Sequence, residues 1–127
     1  MNFHTIIQCR FHSRRLPGKI LLPLDKDLTS LDILIKNLKL IKEIDQIILA
    51  VAKDDSSLIF EKISKKYNIK ICTPTCKAEN VLKRFYLTAK KFNSNNIIRI
   101  TSDCPFVNIH MIREMIDFYK EKKINFL

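Results

Sequence analysis

One glycine, Gly18, stands in a chain of 127 residues, and tryptophan is absent. Average usage of about 7% would supply roughly nine glycines. With Lys, Ile and Asn used so heavily, the surviving glycine marks a position where the backbone needs positive φ or must approach a ligand closely. The Gly-x-x-x-x-Gly-Lys-Ser/Thr loop and the Gly-x-Gly-x-x-Gly dinucleotide fingerprint are both missing. No apolar run approaches the length of a membrane span. The first five residues carry no basic region leading into a long apolar stretch, so no secretory signal is visible and a cytoplasmic protein is expected. A membrane protein, a secreted disulfide scaffold and a disordered tail are all disfavoured.

The four cysteines, Cys9, Cys72, Cys76 and Cys104, fit no paired zinc spacing, because Cys72-x-x-x-Cys76 has no second pair to complete four ligands. Reduced, mostly buried thiols are expected. His4, His12 and His110 are scattered and form no sequence cluster.

Lys and Arg total 23 against 13 Asp and Glu, a net charge of +10. Most of the excess is lysine spread along presumed helix faces, including Lys62, Lys65, Lys66, Lys90, Lys91, Lys120, Lys122 and Lys123, and reads as solvated surface. Charge also admits a second reading, a basic α/β module that binds nucleic acid. The arginines are more pointed: Arg10, Arg14 and Arg15 fall together near Gly18.

Apolar runs and amphipathic stretches alternate along the chain. Strands are expected at 3–8, 46–52, 69–73 and 96–100, with a short extended piece at 20–22. Ser30 offers an N-cap to a helix whose stripe is Leu31, Leu34, Ile35 and Leu38. The run 54–57 caps a second helix with Leu58, Ile59, Ile63 and Tyr67 inward. A third, over 78–92, has Val81, Leu82, Phe85, Tyr86 and Ala89 at helical spacing. A fourth, over 109–122, turns Ile112, Met115, Ile116 and Tyr119 inward, and 124–127 reads as the start of another strand. Continuous apolar strands separated by amphipathic helices imply a Rossmann-like open, mainly parallel sheet with helices on both faces, in one α/β domain over 1–127. A sequence that stops as a strand starts is expected to be the first part of a longer domain.

In such a sheet, ligands bind outside the carboxyl ends of the strands. Two loops there hold unusual chemistry. In the first, Arg10, Arg14, Arg15 and Lys19 surround Pro17-Gly18, a pair suited to a type II turn. Such a turn aims successive N–H groups at one point, and the cations beside it balance an anion such as a triphosphate. In the second, Asp103 follows a strand and precedes Pro105, where a carboxylate serves either as a cap for the next turn or as an oxygen ligand for Mg²⁺.

The gapless run Arg10-Phe11-His12-Ser13-Arg14-Arg15-Leu16-Pro17-Gly18-Lys19 resembles the Ala-Arg-x-x-Ser-x-Arg-Leu-Pro-Gly-Lys opening of sugar cytidylyltransferases: CMP-KDO synthetases, acylneuraminate cytidylyltransferases and, above all, their relatives in spore-coat polysaccharide biosynthesis. Arg99-Ile100-Thr101-Ser102-Asp103-Cys104-Pro105 is similar to the relatives' Arg-Ile-Thr-Gly-Asp-Cys-Pro string, and 79–86 resembles their Asp-Val-Leu-x-Arg-Phe/Tyr element. The resemblance implies a GT-A-like nucleotide-diphospho-sugar transferase fold and transfer of CMP from CTP to a sugar or sugar acid, with Mg²⁺ and release of pyrophosphate. It implies that Arg10, Ser13, Arg15, Gly18 and Lys19 hold the phosphates, with Arg10 and Lys19 acting in catalysis, and that Asp103 binds the metal. Arg84 either faces the nucleotide pocket or is solvated. The family carries small residues where Cys9, His12 and Ser102 stand here. It continues into a C-terminal half bearing the acceptor pocket and a further metal-binding aspartate. The chain alone is therefore expected to bind nucleotide without turnover, with a homodimer or a partner that supplies the missing half as expected assemblies.

Overall fold

The computed structural model describes residues 3–9, 23–25, 28–52, 57–74, 80–101 and 108–122. Among these residues, six strands and four helices run in the order β1 (Phe3–Cys9), β2 (Pro23–Asp25), β3 (Leu28–Thr29), α1 (Ser30–Leu38), β4 (Ile44–Val51), α2 (Ser57–Tyr67), β5 (Lys70–Cys72), α3 (Val81–Lys91), β6 (Ile97–Thr101) and α4 (Ile109–Lys122). Four strands form one sheet in the order β5-β4-β1-β6, and every pairing in it is parallel. The remaining two, β2 and β3, make a small antiparallel hairpin that the hydrophobic pattern does not reveal. The expected extended piece at 20–22 and the expected strand at 124–127 lie outside the described residues.

Alternation along β1 divides the core. Phe3, Ile7 and Cys9 join Leu49, Val51 and Ile100 on one face, beneath α1, α2 and α4. Ile6 joins Ile48, Ala50 and Phe85 on the other, beneath α3. A strand covered on both faces must be apolar throughout, which is why Ile47-Ile48-Leu49-Ala50-Val51 shows no polar alternation. On α1, Leu31, Leu34, Ile35 and Leu38 are all fully buried, each contributing about 1.5–3 kcal/mol of apolar transfer.

The N-cap of α1 is Thr29, with Ser30 as the first helical residue. Thr29 Oγ1 accepts from the Asp32 N–H at 3.1 Å, and Asp32 Oδ2 accepts from the Thr29 N–H at 2.9 Å. This reciprocal pair satisfies two otherwise orphaned donors. Asn80 caps α3 by accepting from the Lys83 N–H at 3.1 Å.

Two helices end on asparagine. Asn68 and Asn93 have φ of 54° and 51°. After α2, the Ile69 N–H donates to Ser64 O at 2.9 Å and the Asn68 N–H to Lys65 O at 3.3 Å; after α3, the Ser94 N–H donates to Ala89 O at 2.8 Å and the Asn93 N–H to Lys90 O at 3.3 Å. Both are the crossed bonds of a Schellman cap. The left-handed position usually goes to glycine, and in a chain with one glycine it falls to asparagine, the next most tolerant residue.

Three expected helix stripes hold at most positions, with Ile63 and Tyr67 of α2, Val81, Phe85 and Ala89 of α3 and Ile112, Ile116 and Tyr119 of α4 packed against the core, and miss at a few. Leu82 and Tyr86 are 69% and 62% exposed, because Arg84, Phe85 and Thr88 occupy the buried side of α3. Leu58 is exposed, and Phe60 takes the core position in α2. Met115 is 41% exposed, while Ile116 is fully buried.

Candidate functional site

Strand order creates one point where the chain reverses direction across the sheet. From β1 the connections through α1 and α2 step outward to β4 and then β5. The connection through α3 then crosses back over β1 and places β6 on its other side. Helices on opposite faces diverge at such a switch, leaving a crevice at the carboxyl ends of the two strands beside it. Here those strands are β1 and β6. They end level, with Gln8 opposite Thr101, while on the other flank Cys9 lies opposite Val51 and its carbonyl accepts from the Ala52 N–H at 3.1 Å.

Segment 10–22 therefore departs from β1 beside the departure of segment 102–107 from β6. These are the two loops whose chemistry stands out in the sequence. Arg10, Ser13, Arg15, Gly18 and Lys19 in the first, and Asp103 in the second, lie outside the described residues. The structure fixes the neighbouring strand ends from which the two loops leave. Cys76 and Cys104 also lie outside the described residues, while Cys9 and Cys72 are buried, as expected of core thiols.

Arg84 is described, and its burial bears on one of its two readings. It sits in the first turn of α3 and is 1% exposed, so it is not a solvated arginine. Because α3 begins after the segment leaving the carboxyl end of β5, this turn belongs to the carboxyl edge of the sheet. A buried guanidinium is tolerated only where hydrogen-bond acceptors or counter-charge surround it. The sequence pattern assigns no role to Arg99. Its guanidinium carbon stacks 4.6 Å from the centre of the Phe85 ring, placing a second cation on β6 against α3. The available signal was a charged residue inside an otherwise apolar strand.

Among the described residues no group of three or more His, Cys, Asp or Glu side chains is placed to hold a metal. Asp103, the metal ligand the resemblance implies, lies outside those residues. A groove of about 450 Å³ opens at the opposite, amino edge, lined by Lys39, Asp45, Gln46, Asn68 and Lys70 among others. It lies at the starts of β4 and β5, away from the switch between β1 and β6.

The lysine excess has a structural explanation. Lys65 and Lys66 close α2, Lys90 and Lys91 close α3, and Lys120 and Lys122 close α4. Cations in a last helical turn complement the negative end of the helix dipole. Among the described residues, no helix is long and apolar enough to cross a membrane.

Comparison with known proteins gives a consistent result. The chain is 32% identical over its whole length to an uncharacterized protein of Methanocaldococcus jannaschii, spanning 51% of that protein. It is 33% identical, over 87% of its length, to the spore coat polysaccharide biosynthesis protein SpsF of Bacillus subtilis, spanning 47% of it. A cytidylyltransferase structure from Leptospira borgpetersenii superposes with a TM-score of 0.84 at 29% identity, covering 95% of this chain and 50% of that one. The chain thus spans about half the length of the relatives it matches. Residues 4–126 match the cytidylyltransferase family model, and the chain, with its parallel α/β sheet, belongs to that family.

Proposed function

We propose that this chain is the nucleotide-binding half of a cytoplasmic cytidylyltransferase. With Mg²⁺ it takes CTP and serves transfer of CMP to a sugar or sugar acid for surface-polysaccharide synthesis. The observation carrying this reading is the adjacency of β1 and β6 at the switch point: the Arg10–Lys19 loop follows one strand and Asp103 the other. Family membership and the likeness to a spore coat polysaccharide biosynthesis protein support the nucleotide and the pathway class.

In this reading Arg10, Ser13, Arg15 and Lys19 hold and neutralise the triphosphate, and Gly18 lets the backbone approach it. Arg84 adds a buried cation at the same edge. Asp103 would hold Mg²⁺, which would supply positive charge against the phosphates. An acceptor oxygen bonds to the α-phosphorus, the bond from that phosphorus to the bridging oxygen breaks, and pyrophosphate leaves with the electron pair while the acceptor proton passes to solvent. The chain's own share is positioning and charge complementarity.

Calorimetric titration of CTP with Mg²⁺ tests the assignment. Saturable binding is expected. Lys19→Ala should weaken it about ten- to a hundredfold, the worth of one charge-assisted contact. Lys91→Ala, in the last turn of α3, should leave it unchanged. Equal effects from the two changes would remove the loop from the site.

A further inference from the structure

Helices packed on a parallel sheet run back against its strands, so their carboxyl ends gather at the amino edge, opposite the switch-point loops. The ends of α1, α2 and α3 lead directly into the starts of β4, β5 and β6. The end of α4 reaches the same edge. The Tyr119 ring packs edge-on against Phe3, the first residue of β1, with centroids 5.5 Å apart. Its hydroxyl donates to Asn96 Oδ1, just before β6, at 2.9 Å.

That edge is strongly basic. The ends of α1 and α2 bring Lys36, Lys39, Lys65 and Lys66, all exposed. Those of α3 and α4 bring Lys90, Lys91, Lys120 and Lys122, also exposed. Lys42 and Lys70 stand there too, in the turn before β4 and at the start of β5, where no helix end requires a cation. Among the described residues of this edge, these ten lysines face three carboxylates, Glu43, Asp45 and Glu121. Two of the ten are partly neutralised: Lys66 Nζ lies 3.5 Å from Asp32 Oδ1, and Lys122 Nζ 3.9 Å from Glu121 Oε1. The helix dipole explains a lysine in a last turn singly. Gathered at one end of the molecule, the lysines make a field that attracts a polyanion.

Two observations say which polyanion. Leu40, between Lys39 and Lys42, is 60% exposed. An apolar side chain among lysines suits a lipid headgroup layer, where the cations meet anionic lipids and the apolar group enters the acyl boundary. The aromatic rings beside the lysines are already engaged: Lys66 Nζ sits 5.2 Å from the centre of the Tyr67 ring, and Lys91 Nζ 5.5 Å from that of Phe92. Rings covered by ammonium groups offer bases less of the stacking surface that single-stranded nucleic acid uses.

We propose that the amino edge is a peripheral docking face for an anionic bilayer, with the lysines at headgroup level and Leu40 inserted among the headgroups. Such a contact needs no spanning segment. It turns the carboxyl edge, and with it the segments leaving β1 and β6, toward solution. The inference goes beyond the nucleotide reading and does not require CTP to be the ligand, so failure of nucleotide binding leaves it standing.

The test is co-sedimentation of the 127-residue chain with vesicles of phosphatidylcholine and phosphatidylglycerol in a two-to-one ratio, and with phosphatidylcholine alone. Binding is expected to the anionic vesicles only, and should weaken as salt rises. Lys42→Gln with Lys70→Gln should weaken it about tenfold or more. Leu40→Ser should weaken it as well. Lys62→Gln with Lys83→Gln removes the same charge from the middle of α2 and the start of α3, and should leave it unchanged. All five side chains are exposed, so the variants' melting temperatures should match the wild type's. Absence of binding, equal binding to phosphatidylcholine alone, equal loss from the two double variants or indifference to Leu40→Ser would overturn the proposal. So would a Lys42 and Lys70 change that weakens binding of single-stranded RNA or duplex DNA while leaving vesicle binding intact.

Discussion

The Tyr67 hydroxyl at the end of α2 donates a hydrogen bond to Asp32 Oδ1 in α1 at 2.6 Å. The same carboxylate receives the Thr29 N–H at 2.9 Å and the Thr29 hydroxyl at 2.7 Å through Oδ2, while Lys66 Nζ lies 3.5 Å from Oδ1. One buried aspartate therefore caps α1 and fastens α2 to it. Burial pushes its pKa up, but the hydrogen bonds from Tyr67 and Thr29 and the charge of Lys66 outweigh burial, and the net shift is downward from 3.8. A depressed carboxyl pKa stabilises the fold above the unfolded value, and that stabilisation is lost as pH falls through the folded value. Tyr67→Phe should cost about 1.5–3 kcal/mol at neutral pH, the range for hydrogen bonds to charged groups. Urea unfolding at pH 7 and at pH 3 checks this: the wild-type advantage should shrink at the lower pH. A difference that is equal at both would detach it from the Asp32 charge.

The paired asparagine caps carry an opposite-sign prediction. Asn68 and Asn93 hold φ of 54° and 51°, where a Cβ is unfavourable. Glycine at either site should raise stability by a few tenths of a kcal/mol up to about 1 kcal/mol, and valine should lower it by about 1–2 kcal/mol. Thermal melts of the four single variants check the pattern. Destabilisation by glycine would show that the asparagine side chain, rather than backbone tolerance, is what the cap requires.

Particular residues show what the sequence could and could not disclose. The α1 stripe and the apolar run of β4 were legible because each is buried by one consistent periodicity. The stripe of α3 misled because polar Arg84 and Thr88 hold buried positions, so hydrophobicity alone turned Leu82 and Tyr86 inward. In α2 the buried face likewise includes a polar residue, Ser64, beside Phe60, while Leu58 is exposed. The place of β6 beside β1 has no local signature: a crossover from β5 is compatible with either flank, and long-range packing decides it. That placement is what unites the two site loops. Their chemistry was legible from charge density and one glycine, and their common carboxyl edge from the alternation of strands and helices, but not the pairing of the two strands they follow.

Metal dependence separates the two readings of Asp103 open in the sequence, turn cap and Mg²⁺ ligand. If it is the ligand, Mg²⁺ and CTP are coupled, and each should raise the other's affinity by about 5–150-fold. Asp103→Asn keeps a side-chain oxygen able to cap the turn but loses the charge. Titrating CTP with Mg²⁺ or with EDTA should show strong metal dependence in the wild type and little in the variant. A variant that keeps the full metal effect would leave Asp103 as a cap.

The final prediction concerns turnover. Transfer to a sugar requires the acceptor hydroxyl to be held in line with the α-phosphorus, and fixing a reactant in that way is worth effective concentrations of about 10⁵–10⁸ M. The described elements form one switch point, between β1 and β6. They bring no carboxylate cluster capable of gripping a metal from a second side. Positive charge from the Arg10–Lys19 loop can hold a triphosphate in its ground state without aligning an attacking oxygen. The 127-residue chain should therefore bind CTP and release no pyrophosphate above background when offered sugar acids or amino sugars. Supplying the unmatched half of a relative should restore release, and Asp103→Ala should abolish the restored activity. Sugar-dependent release by the chain alone, lost in Asp103→Ala, would show instead that one switch-point crevice aligns both substrates, and the acceptor site would then have to be sought among the segments leaving the carboxyl edge.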